Sequence, residues 1–188
     1  MSGKLPPYYP FLQAIFHRTS TTVVKFDDPD GKVYKELRKG SDLKVVKNSY
    51  RARLIEEREV EGNVLLIEGA QFMWTCLNSP TSCSPPFDGS NTYIGVGDGT
   101  TAEDPTQTGL LGTNVYYKLV DTGYPQISQN IFTARATFGP TEANFSWNEW
   151  TIANGNSNTA VNLNRKVEAL GTKAAGSTWV LQVSIQLT

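Results

Sequence analysis

From Trp179 to Thr188 the chain alternates without a break. Trp179, Leu181, Val183, Ile185 and Leu187 fall on one side, and Val180, Gln182, Ser184, Gln186 and Thr188 fall on the other. A period of two is the signature of extended backbone with one apolar face, and such a face needs a second layer to cover it. Shorter runs of similar character precede it: Tyr93–Gly97, Val115–Val120, Ile131–Phe138, Phe145–Ile152 and Val161–Glu168, separated by Gly-, Asn- and Pro-containing turns. Regularly spaced short strands of this kind predict an all-β fold, a sandwich or jelly-roll-like body with one short helix and an extended N-terminal arm.

The upstream third reads differently. Thr21–Phe26 is rich in β-branched residues and is followed by the turn sequence Asp27-Asp28-Pro29-Asp30-Gly31, so that Lys32–Leu37 is expected as the returning strand of a hairpin. Leu43–Val46 and Tyr50–Val60 are read as further strands bearing exposed charges, and the apolar spacing within Val64–Leu77 predicts the single helix. Charge is unevenly distributed: residues 1–70 carry 12 Lys/Arg and 10 Asp/Glu, residues 71–188 only 5 and 8. The division expected from this shift is an extended arm over 1–17, a charged β segment over 18–68 and a sandwich body over 69–188, with 18–68 either separate or part of the same domain.

Composition excludes several classes of function. With 17 Lys/Arg against 18 Asp/Glu the net charge is −1, a poor match to holding nucleic acid by its phosphates. No run of about 18 apolar residues is present to cross a membrane as a helix, and Met1–Pro7 lacks the apolar core of a secretory signal. One histidine, His17, and two cysteines, Cys76 and Cys83, leave little material for zinc sites or His-dependent catalysis.

The remaining candidates for chemistry are few. Gly95-Val96-Gly97-Asp98-Gly99-Thr100-Thr101 has the glycines of a phosphate loop but neither its lysine nor a following helix, and reads as a turn. Asp88, Asn91, Asp98 and Asp104 are oxygen donors near it, without the spacing of a calcium loop. Glu142 and Glu149 flank Phe145, Trp147 and Trp150. That arrangement suggests a glycosidase carboxylate pair or a sugar-stacking platform, and equally a Glu149 buried in a polar network between tryptophans. Cys76 and Cys83 span a Pro/Ser loop that a disulfide could close, but free thiols are the expectation for a protein made in a cytosol. Arg165, Lys166 and Lys173 are read as surface cations, pairing with Glu168 or with a partner's carboxylate. No cofactor and no catalytic set is expected.

Several segments together resemble a family of tailed-bacteriophage virion structural proteins. They are Asn91-Thr92-Tyr93-Ile94-Gly95-Val96-Gly97-Asp98-Gly99-Thr100-Thr101-Ala102-Glu103 with Gln107-Thr108-Gly109-Leu110, then Phe138-Gly139-Pro140-Thr141-Glu142-Ala143-Asn144-Phe145-Ser146-Trp147-Asn148-Glu149-Trp150, Leu163-Asn164-Arg165-Lys166 and Leu170-Gly171-Thr172-Lys173. Glu61–Leu66 fits the pattern ahead of the helix, so the resemblance covers residues 58–188. It implies a non-enzymatic component of the virion and brings no catalytic residues with it. The role expected is a capsid decoration (cement) protein on the major capsid protein or other virion proteins, itself a homo-oligomer, a trimer before a dimer. The alternative is a tail- or fibre-associated protein able to bind glycans. For partner binding the sequence singles out Pro6, Pro7, Tyr8, Tyr9, Pro10 and Phe11, an extended aromatic stretch that either packs on its own domain or lies as an arm on a neighbouring subunit.

Overall fold

Two antiparallel sheets of five strands each stack face to face in the computed structural model, which describes residues 18–187. The arm residues Pro6 to Phe11 and His17 lie outside the described residues. In chain order the strands are β1 (Arg18–Asp27), β2 (Leu54–Glu61), β3 (Val64–Leu65), β4 (Tyr93–Gly97), β5 (Val115–Leu119), β6 (Gln126–Ser128), β7 (Ile131–Phe138), β8 (Ser146–Ala153), β9 (Asn164–Thr172) and β10 (Ser177–Gln186). The helices are α1 (Lys32–Arg38), α2 (Leu43–Ser49) and α3 (Ile67–Asn78). The first sheet has the order β2-β1-β10-β7-β6 and the second β3-β9-β8-β4-β5, so the expected all-β sandwich is the architecture.

The alternation of the last strand holds. Trp179, Leu181, Val183 and Ile185 point into the core between the sheets, where they meet Val23, Ala136 and Phe138 of their own sheet and Ile94, Val96, Trp147, Trp150 and Ile152 of the other. Leu187 lies past the end of the strand and is 40% exposed. Trp147 and Trp150 are three residues apart, a spacing that simple alternation would place on opposite faces. A register shift between Trp147 and Glu149 in the pairing of β8 with β9 turns both rings inward. Phe138, Trp147 and Trp179 then stack edge to face, with centroids 4.7 and 4.9 Å apart.

The charged segment corrects the sequence reading in three places. Lys32–Arg38 and Leu43–Ser49 are helices rather than strands, so the described residues hold three α-helices where one was expected. Val33 and Leu37, one helical turn apart, are fully buried, and with Val46 they cover Val24, Phe26 and Val180 on the outer face of the first sheet. Caps fix both helices: the buried Asp28 carboxylate accepts from the Val33 and Tyr34 N–H groups at 3.1 and 3.0 Å, and Asp42 accepts from Lys44 and Val45 N–H groups. Gly31, immediately before α1, adopts φ 64°, which a side chain would resist. Strand β1 lies inside its sheet and not at an edge. It pairs with β10 over its whole length and with β2 on its other side, so residues 18–68 and 69–188 share one sheet and one core. The expected strand over Tyr50–Val60 is present from Leu54 and occupies the sheet edge.

Candidate functional site

Glu149 sits on β8 between the two tryptophans but faces the opposite way, onto the outer side of the second sheet, where the irregular segment 98–114 covers it. Its side chain and that of Arg165 on β9 are both fully buried. Arg165 Nε donates to Glu149 Oε2 at 2.8 Å, and Nη2 lies 2.6 Å from the same oxygen. Glu149 Oε1 accepts from the backbone N–H groups of Leu111 at 3.0 Å and Gly112 at 2.6 Å, with Gly99 at 3.2 Å. The rest of the guanidinium donates to the carbonyl of Thr101 and to Gln107 Oε1. A Cβ at Gly97 or Gly99 would collide with the Glu149 carboxylate, which explains why this stretch is glycine-rich without any phosphate to cradle. The pair is thus the clasp that fastens segment 98–114 to the sheet. Asn158 adds a second fastening by exchanging hydrogen bonds with the N–H and C=O of Leu110.

Glu142 belongs to a different network. It accepts from Lys118 Nζ at 2.5 Å and from the Gly139 N–H at 2.8 Å. Burial pushes its carboxyl up, but the Lys118 and Gly139 hydrogen bonds outweigh burial and hold it below the usual carboxylate range. Lys173, expected at the surface, is 1% exposed and donates to the Gly139 carbonyl at 2.7 Å and Asn144 Oδ1 at 2.9 Å, its ammonium pushed down to about 8 by burial. Glu142 and Glu149 are therefore each committed to a separate structural cation. Arg165 pairs with Glu149 and not with Glu168, which is held by Arg58. A third buried network escaped the sequence reading: Asp121 accepts from Arg135 Nε at 2.9 Å, Arg38 Nη1 at 2.8 Å and Thr137 Oγ1 at 2.6 Å. Arg135 also reaches the Ser41 carbonyl at 3.3 Å, tying the end of α1 to the sheet. The signal was present in Ile131–Phe138, where one arginine stands alone in an otherwise uncharged strand.

The other candidates resolve in the same direction. Trp147 and Trp150 are both fully buried and offer no face for stacking a sugar. Asp88 and Asp104 each bind their own turn, Asp88 accepting from the N–H groups of Ser90 and Asn91 and Asp104 from that of Thr106, while Asp98 accepts from Asn114 at the far end of segment 98–114. Among the described residues no three His, Cys, Asp or Glu side chains converge as metal ligands. Cys76 and Cys83, expected as free thiols, form a disulfide that ties the end of α3 to the following loop. Their Cα atoms are 4.6 Å apart, within bridging range, so local geometry overrode the argument from compartment.

Among the described residues two hollows open to solvent, one of them polar, of about 690 Å³ and walled in part by Arg18, Glu61, Asn63 and Gln186. An apolar groove of about 280 Å³ runs between α3, the loop after it and the ends of β6, β7 and β10; its walls include Met73, Phe87, Ile127, Phe132, Ile185 and Leu187. Ile127, on the edge strand β6, is 79% exposed. Helix α3 extends the apolar surface beyond Met73 with Trp74 and Leu77, 60% and 72% exposed. Among the described residues no helix is long and apolar enough to cross a membrane. Comparison of the chain with protein-family models, with curated proteins and with solved structures gives no match.

Proposed function

We propose that this is a non-enzymatic structural protein of a tailed-bacteriophage particle, a decoration protein that binds the capsid shell and links neighbouring subunits. The observation carrying the reading is the division of labour between buried charge and exposed apolar surface. Glu149, Arg165, Glu142, Lys173, Asp121 and Arg135 all fasten loops to sheets, while Trp74, Leu77 and Ile127 stand in solvent around one groove. A rigid body with an apolar patch is built to bind other protein. The resemblance to virion proteins supports the same reading, and its characteristic segments fall on the framework: the Gly95–Gly99 stretch, Glu142, Glu149, Arg165 and Lys173 are the members of the two clasps just described.

The test is location and copy number. Particles carrying a tagged copy of the protein, imaged by electron cryo-microscopy, are expected to show density repeated over the shell. Absence from purified particles, or glycan turnover lost in Glu142→Gln or Glu149→Gln, would overturn the proposal; density confined to the tail would replace decoration by the tail-associated role.

A further inference from the structure

We infer that the apolar groove receives the N-terminal segment of a second copy of this chain, residues Leu5–Phe16, laid along the edge strand β6. The inference rests on the reading above, that the segment binds a neighbouring subunit, and names the surface that takes it.

Three observations converge. The first is where the described chain starts. Arg18 is paired with Gln186, Gln186 with Ile131, and Ile131 with Ser128, so one row of backbone pairs crosses the sheet from the start of β1 to the end of β6. Three inter-strand steps make that row about 14 Å long. The N-terminal segment therefore leaves the body at the same end of the sandwich as the groove.

The second is complementarity. From Leu5 to Phe16 the sequence LPPYYPFLQAIF contains no charged residue and is mostly apolar or aromatic. The groove walls, Met73, Phe87, Ile127, Phe132, Ile185 and Leu187 among them, are likewise uncharged. Uncharged aromatic anchors entering an apolar groove are the usual core of a protein interface.

The third is the open edge. Among the described residues β6 pairs only with β7, its three residues are exposed, and no described strand takes up the N–H and C=O groups of its outer side, where a strand can add. Along an added strand alternate residues turn their backbone groups toward the edge. With Tyr9 and Phe11 facing β6, Pro10 faces away, where a nitrogen without a hydrogen costs nothing, while Pro7 falls in the register of Tyr9 and has no N–H to give, so the paired stretch starts after it.

A second copy, rather than the segment's own body, follows from the residues joining it to β1. Phe11 to His17 contain no Gly, Pro, Asn or Asp, so nothing there encodes the sharp reversal needed to turn across the sheet. An extended approach from a neighbouring copy needs no such turn.

The test uses the full chain. Benzoylphenylalanine is placed at position 9, isotope-labelled and unlabelled copies are mixed and irradiated, and cross-linked peptides are read by mass spectrometry. The expected result is mixed-label peptides joining the arm to segments 126–132 or 185–187. Ile127→Glu, which alters an exposed side chain, is expected to weaken self-association by about tenfold in sedimentation equilibrium and to abolish those cross-links while circular dichroism stays unchanged. Cross-links within single copies only, cross-links to another surface, or unaltered association in Ile127→Glu would each overturn the inference. These experiments need no particle. Shell density without arm-to-groove cross-links refutes the groove alone, and cross-links without shell density refute the decoration role alone.

Discussion

Arg165 and Glu149, on neighbouring strands with neither side chain exposed, are the fully buried ion pair of the clasp that closes segment 98–114 over the second sheet. Removing one partner leaves the other charged and dry, which costs about 3–5 kcal/mol in comparable buried pairs. Glu149→Ala and Arg165→Ala are each expected to lower unfolding free energy by that order, with the double variant far from additive. Urea denaturation of the four proteins measures it; additive losses would show that the two side chains act independently.

Lys173 gives the protein a pH dependence on the alkaline side. Unfolded, the lysine titrates near 10.5; folded, burial brings it to about 8. Between these values the unfolded chain binds more protons, so stability rises with pH across this window, and below it the buried ammonium is a burden. Relative to Lys173→Met, the wild type is expected to gain about 2 kcal/mol between pH 7 and pH 10. Parallel stability curves for the two proteins would refute it.

Trp179 stands where two interactions meet. Its ring packs against Trp147 at 4.9 Å, and Lys25 Nζ lies 4.4 Å from the ring centroid while also bonding Glu56. Trp179→Ala is expected to cost roughly 3–5 kcal/mol through lost burial and the cavity left behind, a large share of the 5–15 kcal/mol typical of a domain. An unchanged denaturation midpoint would mean that the core does not depend on this ring.

The Cys76–Cys83 bridge closes a short loop, for which the chain-entropy argument gives about 2–3 kcal/mol. Cys76→Ser with Cys83→Ser, or reduction of the wild type, is expected to lower stability by no more than this. Faster amide exchange is expected in residues 79–92, while β7, β8 and β10 stay protected. Identical exchange in reduced and oxidised protein would refute the prediction.

The sandwich was legible because its strands announce themselves one at a time: Trp179–Thr188 needs nothing but its own alternation. The two short helices were not, because Val33 and Leu37 fit a strand edge about as well as a helical turn over so few residues. The decisive features are the Asp28 and Asp42 caps, and Asp28 had been assigned to a hairpin turn that would have used the same residue types. The clasps were half legible. Glu149 beside two tryptophans signalled a buried carboxylate, but its cation lies a strand away, and nothing local to Asn164-Arg165-Lys166 says which of the two cations turns inward. Register decides that, and register is a property of the paired strands.

The pairing of β1 with β10 has a consequence for how the molecule comes into being. Arg18 to Asp27 pair with β2 on one side and with Ser177 to Gln186 on the other, so a ribosome that has made the first nine of the ten described strands still holds a chain whose first sheet lacks its middle. β1 and β7 are then two open borders waiting for the same insert. Contacts between such distant parts of a chain form slowly, and the strand that seals the sheet is made after the other nine described strands. A nascent chain stalled before Ser177 is the form of this protein most exposed to capture by chaperones or by its own kind.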